Sequence, residues 1–146
     1  METIDLIQLK KTKSEFNKVK ITAVAESYDF IKQFYGDDLE IFESVFILML
    51  DKNNNTIGYS KISQGGVAGS VVDIKIICKY AIDSFASGVI LAHNHPSGSL
   101  KPSSQDLNIT KRVAEALKVF DVTLLDHLII TSESYFSFAE NDIINH

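Results

Sequence analysis

The chain has 146 residues, 45% hydrophobic and 23% charged, the make-up of an ordinary globular domain long enough for a full core. Its net charge of −5 gives no support to strong nonspecific nucleic-acid binding, although it leaves room for a local basic patch. One cysteine, Cys78, rules out an internal disulfide and a cysteine-built zinc site, and the longest apolar run, Val45 to Leu50, is far too short to span a bilayer.

The first residues carry neither a basic n-region nor a long apolar stretch, so no signal peptide is visible. With the lone cysteine, this points to a reducing cytoplasm. Thr3 to Leu9, Thr-Ile-Asp-Leu-Ile-Gln-Leu, looks like an N-terminal strand. Lys10 to Lys20 contains five lysines and reads as a solvated turn leading to a short strand at Val19–Ile21. Ala25 to Tyr35 fits a short helix with Tyr28, Ile31, Phe34 and Tyr35 on one side, ended by Gly36 in a left-handed conformation. Glu43 to Leu50 is the most apolar strand candidate. Asp51 to Thr56 is turn chemistry, and Ile57 to Ser63 is the hairpin partner. The glycines of Gln64 to Ser70 are not a phosphate loop, because no Lys-Ser/Thr follows.

A helix is predicted over 70–87, started by Ser70 and Asp73, with Val71, Ile74, Cys78, Ala81, Ile82 and Phe85 on its apolar face and Gly88 as its stop. On that face Cys78 is a small core residue rather than a nucleophile. Val89 to Ala92 is a buried strand. Ser104 to about Val119 is a helix burying Ile109, Val113, Ala116, Leu117 and Phe120. Val122 to Ile130 is a second buried strand, and Tyr135 to Phe138 a short final one. Asp126 and His127 interrupt the apolar run, which costs free energy unless both are hydrogen-bonded. They are either a satisfied core pair or supports behind a metal ligand. No repeat or domain boundary is visible.

The chemistry concentrates between Gly88 and Asp106. His93 and His95 leave a strand end one residue apart, so in extended backbone both rings face one point. Both prolines of the chain, Pro96 and Pro102, stiffen the loop that follows, and Ser103-Ser-Gln-Asp106 opens a helix. Two imidazoles and a carboxylate around an open position suit a catalytic zinc ion. Each piece also has a plainer reading: strand-end histidines are often hydrogen-bonded surface groups, and Ser-x-x-Asp is a helix capping box. Glu43, at the entrance of the apolar strand, is either an exposed end residue or a general base aimed into a cleft.

Taken together, Glu43, His93-Asn-His95-Pro96-Ser-Gly98 and Ser103-Ser-Gln-Asp106 resemble the signature of the RadC-like branch of the JAB/MPN (JAMM) metallohydrolases. Leu125-Asp126-His127 and Tyr135-Phe-Ser-Phe138 are similar to the RadC type in particular, and the resemblance runs from about Ile21 to the C-terminus. It implies an α/β fold, a mixed β-sheet flanked by helices in the deaminase-like α/β/α manner. It implies that His93, His95 and Asp106 bind zinc, that Glu43 activates the zinc-bound water, and that Ser103 steadies the oxyanion. The activity implied is peptide or isopeptide hydrolysis. The alternatives are a DNA-repair-associated nuclease and a noncatalytic binding module. Longer RadC proteins carry an N-terminal helix-hairpin-helix segment; the expectation here is one JAB/MPN domain over 1–146 without it. Neither an oligomeric state nor a membrane partner is implied.

Overall fold

Seven consecutive buried residues in each of two segments dictate the centre of the molecule. Ser44–Leu50 (β1) and Gly88–Asn94 (β3) are buried at every position, so neither strand has a solvent face. Strands covered on both sides read as continuous apolar runs rather than alternating ones. Thr56–Gln64 (β2), Thr123–Ile130 (β4) and Tyr135–Ser137 (β5) complete a mixed sheet in the order β2-β1-β3-β4-β5. These elements come from a computed structural model that describes residues 1–8, 10–65 and 72–144.

The β1–β2 hairpin turns on Asp51, whose Oδ1 accepts from the amides of Asn53 (2.8 Å) and Asn55 (2.9 Å). β1 runs antiparallel to β3, with Val45 opposite His93. β4 lies parallel to β3, a pairing that requires a crossover, supplied by the helix Ser104–Lys118 (α3). Together with Ile74–Asp83 (α2), α3 covers one face, burying Ile77, Ala81, Val113 and Leu117 against Val45, Ile47, Leu91 and Ile129. Val24–Lys32 (α1) and a 3-10 segment, Gln33–Asp38, cover the other face, where Tyr28, Ile31 and Tyr35 meet Phe46, Leu48, Ile90 and Leu128. Fully burying each such aliphatic or aromatic side chain is worth about 1.5–3 kcal/mol. Gly36 does not cap the α-helix as expected: the helix ends at Lys32, and Gly36 kinks the 3-10 segment from within at φ +54, ψ −130.

Several expectations are corrected. Residues 3–8 form no strand: Ile4 is 98% and Leu6 83% exposed, so the segment's apolar side chains are not taken up by the core. Val19–Ile21 contributes only a single bridge, Lys20 to Asn55. The helix predicted over 70–87 is shorter. Asp73 caps it, accepting from the Lys75 (2.9 Å) and Ile76 (3.4 Å) amides, and Ser84 ends it; Ser70 and Val71 lie outside the described residues. Phe85 turns out at φ +56 and is 86% exposed. Gly88 therefore begins β3 instead of stopping the helix. A Cβ there would stand 2.6 Å from Leu125 Cδ1, so any larger residue would displace the Leu125 side chain. Phe120 is half exposed: beyond α3 the chain reverses at Asp121 (φ +58), and Val122 takes the core position. Cys78 is half-buried against the core as expected, and burial raises its thiol pKa.

At Leu125 the β3–β4 register slips. Leu124 is opposite Val89, but Asp126 is opposite Ile90. The skipped residue inverts the in–out alternation, so Leu124 and His127 both lie on the α2/α3 face. Asp126 goes to the opposite side, where it accepts from Ser137 Oγ (2.6 Å) and the Ala139 amide (3.0 Å). Burial raises its pKa, partly offset by these bonds. Among the described residues no helix is long and apolar enough to cross a membrane.

Candidate metal centre

The C-terminal end of β3 brings the predicted residues together. His93, the last-but-one residue of the strand, and His95, just beyond it, turn their Nε2 atoms to within 3.0 Å of each other. Asp106, in the first turn of α3, places one carboxylate oxygen 3.5 Å from His93 Nε2 and the other 3.9 Å from His95 Nε2. The helix start that positions it is a capping box: Ser103 Oγ accepts from the Asp106 amide (3.0 Å), and the Ser103 amide donates to Asp106 Oδ2 (2.8 Å). The plainer reading of Ser103 is thus present, and it also orients the carboxylate. Burial would raise the Asp106 pKa, but while His93 is protonated its hydrogen bond and charge, together with the Ser103 bonds, outweigh that and hold the carboxyl well below the usual carboxylate range.

Glu43 precedes β1, which pairs directly with β3, and its carboxylate falls in the same place. Glu43, His93 and His95 each offer a donor atom within 4.8 Å of the others. Glu43 and His93 line a small pocket with Asp106 and His127 on its polar side and Val45, Leu91 and Ile109 on its apolar side. Two carboxylates thus stand beside the histidines: the group whose donor atoms converge takes Glu43, and Asp106, held by its own helix cap, faces the same two rings. The Tyr35 hydroxyl is pushed well up, chiefly by burial and secondly by the negative charge of Glu43.

Each histidine is fixed from behind. His95 Nδ1 lies 2.7 Å from the carbonyl of Ser99. A carbonyl only accepts, so Nδ1 carries the proton and the neutral ring presents a lone pair at Nε2. His93 Nδ1 lies 2.7 Å from His127 Nε2, and His127 Nδ1 lies 2.5 Å from Thr110 Oγ1. His127 also stacks on Phe138, with centroids 4.4 Å apart. Burial drives its pKa well below the ordinary imidazole value, with His93 adding to the effect. A lone pair at His95 aimed at a second ring nitrogen 3.0 Å away, with carboxylate oxygens behind, is a donor set that wants a cation between its members.

Two residues here, Asn94 and Thr110, escaped the sequence reading. Asn94 was only a spacer between the histidines. It is fully buried on the opposite face, its Oδ1 accepting from the Ser44 amide (2.7 Å) and its Nδ2 donating to the carbonyls of Leu39 (2.7 Å) and Phe42 (2.8 Å). It therefore ties the segment carrying Glu43 to the strand carrying the histidines. Thr110 gave no sign beyond standing one helical turn after Asp106, which puts both on one face. Of the two readings given for Asp126 and His127, His127 takes the one behind a candidate ligand, beside His93, while the register slip puts Asp126 on the other face.

An α/β/α domain with histidine and carboxylate donors meeting at the end of its central strand is thereby defined. The model of the RadC-like JAB domain matches residues 21–143, and the chain belongs to that family. It is 37% identical over 139 residues to a UPF0758 protein of Flavobacterium johnsoniae, an alignment covering 95% of this chain and 56% of that protein. It is 40% identical to UPF0758 proteins of Neisseria meningitidis serogroup B, over 77% of this chain and 49% of that protein, and of Porphyromonas gingivalis, over 70% and 45%. Those names state no activity, and the chain spans about half the length of these relatives.

Proposed function

We propose that this chain is a zinc-dependent hydrolase cleaving amide bonds of the peptide or isopeptide type. The observation that carries the reading is the meeting of two imidazole Nε2 atoms, 3.0 Å apart, with the Asp106 carboxylate 3.5 and 3.9 Å from them and Glu43 alongside. Membership of a JAB-type family supports it. His93, His95 and Asp106 would hold the ion, a two-histidine-one-carboxylate set with a position left open. When bound, zinc supplies Lewis acidity and lowers the pKa of water from about 15.7 to about 7. Glu43 takes the proton of the attacking water and passes it to the leaving amine. Ser103 Oγ accepts from the Asp106 amide, so its own hydrogen remains to be donated to the oxygen on which charge develops. Val45, Leu91 and Ile109 keep that side of the site dry. The lone Cys78 suits a cytoplasmic location.

Glu43→Gln tests the assignment because it keeps the side chain's shape and removes the proton acceptor. Elemental analysis is expected to find about one zinc per chain in parent and variant, with hydrolysis lower by ~10²–10⁴-fold in the variant. Equal turnover would remove Glu43 from the role of base. A zinc-loaded parent that cleaves none of a panel of linear peptides and lysine-linked isopeptides would replace the hydrolase with a noncatalytic binding module.

A further inference from the structure

Behind His93 runs a line of buried polar atoms that starts and ends on one residue. Thr110 Oγ1 lies 2.6 Å from the Asp106 carbonyl and 2.5 Å from His127 Nδ1; His127 Nε2 lies 2.7 Å from His93 Nδ1; His93 Nε2 faces the Asp106 carboxylate. Thr110 and His127 are each 2% exposed, so water has no access to substitute for a missing partner.

The polarity of this line follows from counting protons. A hydroxyl has one hydrogen, and the Asp106 carbonyl can only accept, so Thr110 donates there and offers a lone pair to His127 Nδ1. His127 Nδ1 must then carry the ring's proton, and in a neutral imidazole Nε2 is left as an acceptor. The neighbouring His93 Nδ1 donates to it, and His93 Nε2 is bare. His95 reaches the same state through the Ser99 carbonyl.

We propose that Thr110 and His127 are positioning residues that fix which nitrogen of His93 bears the proton, so that Nε2 is presented as a lone pair to the space shared with His95 and Asp106. The use of that lone pair rests on the zinc reading above; the tautomer itself does not. Because Asp106 supplies both the carbonyl at the start of the line and the carboxylate at its end, one turn of α3 sets the proton inventory of the whole cluster. The register slip at Leu125 is what brings His127 to this face.

The experiment has two readouts. Long-range proton–nitrogen spectra of the metal-free protein report the tautomer of each histidine, and competition titration with zinc reports affinity. The parent is expected to have His93 and His127 both protonated at Nδ1. Thr110→Val keeps the volume and loses the acceptor. His127 should then carry its proton on Nε2, His93 should lose its proton from Nδ1, and zinc should bind 10–100-fold more weakly. Thr110→Ser should restore both readouts to near the parent's, and this rescue separates the effect from a packing defect. A parent with His93 protonated at Nε2, or a Thr110→Val protein with the parent's tautomers and zinc affinity, overturns the proposal. A parent with the expected tautomers but no affinity for zinc would overturn the hydrolase reading and leave the tautomer control standing.

Discussion

His93 is 4% exposed inside β3 and is held by other side chains, His127 and through it Thr110. His95, half-buried one residue beyond the strand, is held by a main-chain carbonyl four residues along its own loop, at Ser99. The Gly98 amide closes that loop by donating back to the His95 carbonyl (2.9 Å), with Gly98 at φ +87. One ring is thus oriented by tertiary structure that must fold first, the other by a local turn that two prolines stiffen. Side-chain support can be removed by substitution; main-chain support can be removed only by changing the shape of the loop.

The largest effect that breaks this comparison is removal of a ring. His93→Ala and His95→Ala should both lose zinc, as elemental analysis would report. They should differ in the metal-free protein. His93→Ala leaves the buried His127 Nε2 without its partner and should cost roughly 1–3 kcal/mol in chemical denaturation, whereas His95→Ala should cost about 1 kcal/mol or less. Equal destabilisation would mean that the two rings are not held differently.

Asn94→Ala comes next, because it attacks neither ring and strikes the residue between them. It strands the Ser44 amide and the Leu39 and Phe42 carbonyls, at a cost of roughly 2–4 kcal/mol. Zinc content should persist while hydrolysis falls roughly 10–100-fold through misplacement of Glu43. Loss of zinc in step with activity would instead show Asn94 serving the histidines. The smallest effect is expected from Ser99→Ala. The carbonyl that holds His95 belongs to the backbone, so zinc affinity should stay within about twofold; a drop as large as that of Thr110→Val would remove the contrast.

How much of this was legible in the sequence differs from element to element for physical reasons. β1 and β3 were readable because strands covered on both faces are apolar throughout. Histidine spacing, the Ser103 cap and Asp106 were readable because strand and helix periods fix where such side chains point. Thr3 to Leu9 shows the limit of local reading: it describes a segment able to pair and says nothing about whether the folded sheet takes it up. His127 was legible as a support behind a metal ligand, but its separation from Asp126 was not, since nothing in the run Val122 to Ile130 hints that the ladder skips a residue. Thr110 and Asn94 stayed hidden because their importance lies in partners 17 and 50 residues away.

The skip at Leu125 makes β4 a sentence with a change of reading frame in its middle. Upstream, Leu124 is in phase with the core beneath α2 and α3; downstream, His127 and Ile129 are. A substitution within β4 leaves both phases intact and alters one word. Pairing the same chain without the skip would transpose everything after Leu124, sending His127 to the α1 side and Asp126, a carboxylate, to the α2/α3 face, whereas loss of Leu125 itself would only make the ladder regular, with Asp126 still opposite Ile90 and His127 opposite Leu91. The bare side of Gly88 is where the extra syllable fits, because Leu125 occupies the room that a Cβ would take. Here the integrity of the site depends on register as much as on residue identity, and Leu125 is part of that register although it does not line the cavity.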